Sequence, residues 1–162
     1  MNRFEVIGVD ADDTLWRSED GFHRAEARFC ELVEPHADGA DVRAALTAAE
    51  QRFLPISGYG VKAFTISMLA CAAEVTAGRL PSTVTTDLVN LGVELLTAPV
   101  ELMPGVESAL AEMAADGYRL ALITKGHLIH QQRKIDESSL AKHFSSIDIV
   151  IEKDETTYRA VL

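Results

Sequence analysis

Apolar residues along this chain recur with two different periods, and the change from one to the other divides it. Phe4 to Val9 is a short run rich in β-branched residues and reads as a buried strand. From Glu19 to about Leu96 the texture is helical. Ala, Leu, Glu and Arg dominate, and Val61, Phe64, Met68, Ala72 and Val75 fall on one helical face. Gly58 and Gly60 punctuate before that helix, Gly78 and Pro81 after it, and Ser82 is placed to cap the next. The pattern predicts about four helices in this block and no strand.

Strand texture returns past residue 100. The stretch "MPGVESALAEMAADG" opens on Pro104 and closes on Gly117, the usual order of helix start and stop signals. "YRLALIT" reads as a strand ending at Thr124. His127 to about Glu137 reads as a helix with Leu128, Gln132 and Ile135 on one side, and "IDIVI" from Ile147 to Ile151 as another strand. "EKDETTYRAVL" then opens a helix whose apolar face is Tyr158, Val161 and Leu162. Strands alternating with helices predict an α/β fold with a parallel sheet and the helical block inserted after the first strand. Ligands of such sheets lie at the carboxyl ends of the strands. Asp10 to Asp13, Thr124 with Gly126, and Lys153 each follow a strand end, so the pattern brings them to one edge.

Composition narrows the functions that edge can serve. A length of 162 residues suits one domain, or a small core with an insert. With 48% apolar and 25% charged residues the chain reads as a globular protein. A net charge of −10 without a Lys/Arg run excludes a nucleic-acid footprint, which needs clustered cations. The longest apolar stretch, "FTISMLACAAEV", is too short to span a bilayer and contains Glu74, so no membrane partner is expected. The opening "MNRFEVIGVD" is not a signal peptide, since its apolar run is short and ends in acids. Cys30 and Cys71 are far apart in sequence and read as free thiols in a reducing cytoplasm.

The strand end "VIGVDADDTLW" carries three carboxylates, Asp10, Asp12 and Asp13, which are costly to bury without partners. A calcium loop of the EF-hand type is excluded. Counted from Asp10, its sixth position would be Leu15 and its twelfth Gly21, in place of Gly and Glu. Helix capping by Asp13 or Thr14 accounts for one acid, not three. A metal-assisted phosphoryl site accounts for more. Asp10 can serve as nucleophile and as a hard oxygen ligand for Mg2+, and Asp12 can carry a proton to and from the reacting oxygens. Other polar residues have plainer readings. Lys125 reads as solvent-exposed, His127 and His130 as a solvated helix face, "GYGVK" as a helix start, and Trp16 and Phe22 as packing residues.

These motifs resemble the haloacid dehalogenase (HAD) superfamily in its Mg2+-dependent phosphatase branch. Asp10, Asp12 and Thr14 match its first motif, Asp-x-Asp-x-Thr after an apolar strand. Thr124 matches the second, a Ser or Thr at a strand end, and Lys153 the third, although Asp154 stands where proline is frequent. The resemblance implies a Rossmann-like three-layer α/β core, formed by residues 1–16 and 100–162, and an all-helical C1-type cap over residues 17–99. It implies that Asp10 forms an aspartyl-phosphate and that Asp12 acts as acid and base. Thr124, Gly126 and Lys153 would hold the phosphoryl group, and Asp10 and Asp12 the Mg2+, for Asp12 in part through its backbone carbonyl. The second acid at Asp12 argues for phosphate transfer over dehalogenation.

The fourth motif of that family, one or two Asp after a further strand, is not matched. Asp154 and Glu155 come too early for it. The expectation is a fragment or truncated product whose first strand presents an apolar edge, open to a second copy or a partner chain. The expected activity is hydrolysis of a small phosphorylated metabolite. The alternative is a weakly active or inactive module that binds a phospholigand or a partner protein.

Overall fold

A computed structural model describes residues 5–161; Phe4 and Leu162 lie outside the described residues. The chain forms two compact units. One comprises the residues up to Glu19 together with those from Pro99 onward, and the other Asp20–Ala98.

In the first unit, strands β1 (Val6–Val9), β2 (Arg119–Lys125) and β3 (Ser146–Val150) form a parallel sheet in the order β1-β2-β3. Val9 pairs with Leu122, and Thr124 with Ile149, so the three carboxyl ends lie at one edge. The central strand β2 is buried from Leu120 to Thr124, as expected of a parallel strand covered on both faces. Leu120 and Leu122 pack in one cluster with Leu15, Trp16, Leu110 of α5 (Val106–Ala115), Ile135 of α6 (Leu128–Ser138) and Leu140. Each such side chain contributes roughly 1.5–3 kcal/mol by leaving water. The edges of the expected strands shift by a residue or two. β2 begins at Arg119, and β3 ends at Val150, leaving Ile151 91% exposed. The last helix, α7 (Glu155–Val161), has no buried residue among those described, and Tyr158 is 40% exposed.

Helix α6 departs from its expected face. Leu128 and Ile129 are 63% and 72% exposed, and Gln132 is exposed too. The inner face is Gln131, Lys134, Ile135 and Ser138, at positions i, i+3, i+4 and i+7. Polar residues occupy the inside because that face looks onto the acidic strand end described below.

The second unit is helical: α1 (Glu19–Val33, whose first residue belongs to the α/β unit), α2 (Val42–Ser57), α3 (Val61–Val75) and α4 (Ser82–Thr97). The α3 stripe packs as expected. Phe64, Met68 and Ala72 join Phe29, Leu46 and Leu88 in the core, with Val75 against it, and Phe22 meets Phe64 edge to face at 5.4 Å. Ser82 does not cap α4. It is the first helical residue, and the N-cap is Pro81, whose carbonyl accepts from the Thr85 N–H. Among the described residues no helix is long and apolar enough to cross a membrane.

Candidate functional site

The three acids after β1 have separate occupations. Asp13, at φ +57°, accepts from the backbone N–H groups of Ser18 and Glu19 at 2.9 and 3.1 Å, so it ties down the start of α1. Asp10 is half exposed. Its Oδ1 accepts from the Ala11 N–H at 2.7 Å and from the ammonium of Lys153, which reaches it from beyond β3. Asp12 is more enclosed and carries three donors. Its Oδ1 accepts from Trp16 Nε1 at 2.8 Å and from Lys134 Nζ, and its Oδ2 accepts from Gln131 Nε2 at 2.9 Å.

Gln131 ties this group to the end of β2. The same Nε2 lies 2.9 Å from Thr124 Oγ1 and 2.9 Å from the Lys125 carbonyl oxygen. Thr124 is 1% exposed. Gly126 follows directly at φ +148°, and a Cβ there would stand 3.1 Å from Gln131 Nε2, so a bare backbone is what lets the Gln pass. Lys125, expected to be solvent-exposed, is 27% exposed and pairs with Glu152 at 3.0 Å.

The structure therefore gathers all the sequence-predicted residues at one sheet edge, in two clusters: Asp10 with Lys153, and Asp12 with Thr124 through Gln131. Burial would push the Asp12 carboxyl up. The Lys134 charge and the hydrogen bonds from Lys134, Gln131 and Trp16 outweigh it and hold the group below its ordinary range. His130 is half-buried, not on a solvated face. Desolvation, with the charges of Lys134 and Arg133, pushes it down to about 4.

Gln131 and Lys134 were not among the expected site residues. Their signal was nonetheless present: on a helix beginning near residue 128 they share a face with Ile135, where apolar residues are the norm.

Mg2+ takes hard oxygen ligands and keeps waters and substrate phosphate in its shell, so few protein groups are needed. Asp10 fits that chemistry. The Asp12 carboxylate, with three donors on it, fits less well than its main-chain carbonyl. Among the described residues no group of three or more His, Cys, Asp or Glu could hold a metal ion.

A family model of haloacid dehalogenase-like hydrolases matches residues 4–159. The chain belongs to that family. A haloacid dehalogenase-like family hydrolase from Xanthomonas campestris is 43% identical with a TM-score of 0.90, over 98% of this chain and 66% of that one. A predicted phosphoglycolate phosphatase from Haemophilus somnus 129PT shares the fold at 19% identity and TM-score 0.61, over 99% and 71% of the two chains. A HAD-hydrolase from Bacillus subtilis, bound to magnesium in its structure, does so at 17% identity and TM-score 0.51, over 91% and 66%. This HAD-like chain thus spans about two thirds of the length of the solved relatives it matches. No curated protein matches it.

Proposed function

We propose that this HAD-like hydrolase is a Mg2+-dependent phosphatase of small phosphorylated metabolites, working through an aspartyl-phosphate on Asp10. The observation that carries the reading is the division of the site. Two carboxylates two residues apart at one strand end have different lysines, Lys153 on Asp10 and Lys134 on Asp12. That separation suits two roles. The exposed Asp10 can reach phosphorus, and the enclosed Asp12 can exchange protons. A phosphatase-named neighbour and a magnesium-bound one share the fold, which agrees with the proposal.

In the first step an Asp10 oxygen bonds to phosphorus, the ester P–O bond breaks, and the leaving oxygen takes a proton from Asp12. In the second, water attacks phosphorus, Asp12 takes the proton of that water, and the Asp10–phosphorus bond breaks. Asp12 is then ready to protonate the next leaving alcohol. Thr124, the backbone at Gly126 and Lys153 hold phosphoryl oxygens, and Lys153 offsets charge that builds in the transition state. Mg2+, held by the Asp10 carboxylate and the Asp12 carbonyl, supplies the positive charge that lets a carboxylate approach a phosphate dianion. Residues Asp20–Ala98 are the helical unit that this reading assigns as the cap.

The test is phosphate release from p-nitrophenyl phosphate by the full-length protein, with Mg2+ and with EDTA, beside Asp10→Asn. EDTA should abolish turnover, and the substitution should lower it on the order of 1000-fold or more. An Asp10→Asn protein as active as wild type overturns the nucleophile. Halide release from a 2-haloacid without phosphatase activity overturns the reaction class.

A further inference from the structure

The inner face of α6 carries a lysine that is 8% exposed and a glutamine that is 2% exposed, where an amphipathic helix ordinarily places Leu or Ile. Neither serves packing well. Gln131 Oε1 is buried without a partner among the described residues. Such an atom costs stability that an apolar side chain would not. The amide cannot turn over to improve this, because its oxygen would then face two acceptors, Asp12 Oδ2 and the Lys125 carbonyl. The donor end is therefore what the position keeps, and both donor side chains end on Asp12.

A carboxylate offers about four lone-pair sites. On Asp12, Trp16 Nε1 and Lys134 Nζ take the two on Oδ1, and Gln131 Nε2 takes one on Oδ2. One site remains, on Oδ2. Gln131 also binds Thr124 Oγ1, so the open site is fixed relative to the residue placed to hold the phosphoryl group.

We infer that Lys134 and Gln131 are positioning residues for Asp12: they clamp its carboxylate so that a single lone pair on Oδ2, held in register with Thr124, exchanges the proton with the ester and with water. This rests on the phosphatase reading and names residues that the family motifs matched above do not include. Lys134 touches no reacting atom. It fixes Oδ1 and stands 5.8 Å from the Trp16 ring centroid, which keeps the third donor in place. A displacement of about 1 Å at such a group is enough for a loss on the order of 100-fold.

The experiment compares kcat/KM, which reports transfer to Asp10, for p-nitrophenyl phosphate and for β-glycerophosphate in the full-length protein. The first leaving group departs with little help from a proton, and the second needs it. Lys134→Met and Gln131→Met should lower both values. The loss on β-glycerophosphate should be at least about tenfold larger, and should fall on kcat more than on KM. Circular dichroism and thermal melts show whether each variant is folded. An active wild type with equal losses on the two substrates overturns the positioning role and leaves the phosphatase reading standing. Failure of both variants to fold makes the pair structural and overturns it as well. A wild type that releases no phosphate from either ester removes the phosphatase reading, and the inference falls with it.

Discussion

Gly126→Ala should be costly, and for a reason that can be separated into parts. The new Cβ would stand 3.1, 3.2 and 3.4 Å from Nε2, Cγ and Cδ of Gln131. That side chain cannot easily yield, being 2% exposed and bonded to Asp12, Thr124 and the Lys125 carbonyl. Overpacking of this kind costs about 1–3 kcal/mol. Holding a residue with a Cβ at φ +148° adds about 1–2 kcal/mol. The sum is about 2–5 kcal/mol. Gly117 is the control. It sits at φ +88° in the same unit with nothing within 4 Å of its would-be Cβ, so Gly117→Ala should show the cost of a positive φ without any overlap.

Urea unfolding followed by the emission of Trp16, the one tryptophan of the chain, reads the α/β unit that contains it. A double-mutant cycle completes the test. Combined with Gln131→Ala, Gly126→Ala should cost about 1–3 kcal/mol less than the two singles summed, because the overlap is gone. If Gly126→Ala is no worse than Gly117→Ala, or if the cycle is additive within about 0.5 kcal/mol, the close approach of Gly126 to Gln131 is refuted.

Leu122→Ala, at a position 1% exposed on the central strand, should cost about 2–5 kcal/mol in the same unfolding assay, and a cost below 1 kcal/mol would contradict its place in the core. His130 gives a pH dependence with a definite sign. Its folded value of about 4 lies under the ordinary 6.5, so between those values the unfolded chain binds the proton more readily. Stability is unaffected by this group above pH 6.5 and is lost as pH falls toward 4. His130→Gln should flatten that part of the profile, and an unchanged slope between pH 7 and 4.5 would count against the assignment. Cys30 and Cys71 are both free and buried, and burial pushes Cys71 up to about 11. A disulfide exchange reagent at pH 8 should label neither thiol in the native protein and both in urea; fast native labelling of Cys71 would show that α3 opens.

Legibility of the fold followed locality. β2 could be read from "YRLALIT" because a strand covered on both faces needs a continuous apolar run, and the α3 stripe could be read because its spacing repeats within one helix. Element ends moved by one or two residues, as at Ile151, since a strand stops where its partner's register stops. The face of α6 was misread for a different reason. Leu128 and Ile129 are apolar and should face inward on transfer energy alone, yet they are exposed, and Gln131 and Lys134 are inside. A buried amine is acceptable only beside a carboxylate, and that carboxylate, Asp12, lies 122 residues away from Lys134 in the chain.

By itself, then, the sequence determined that acids follow a short apolar strand, although β1 is half-buried and not buried as expected, that Thr124 and Lys153 follow two others, and that a helical block intervenes. Each of these is written in neighbouring residues, where side-chain period and turn chemistry act. Only the tertiary structure decided which cation meets which acid. Lys153 and Asp10 are 143 residues apart, and Gln131 and Asp12 are 119 apart. Three acids that look equivalent in "DADD" separate into a helix tie, an exposed carboxylate and a clamped one, because parallel pairing brings three distant strand ends to one edge and each acid meets a different neighbour there.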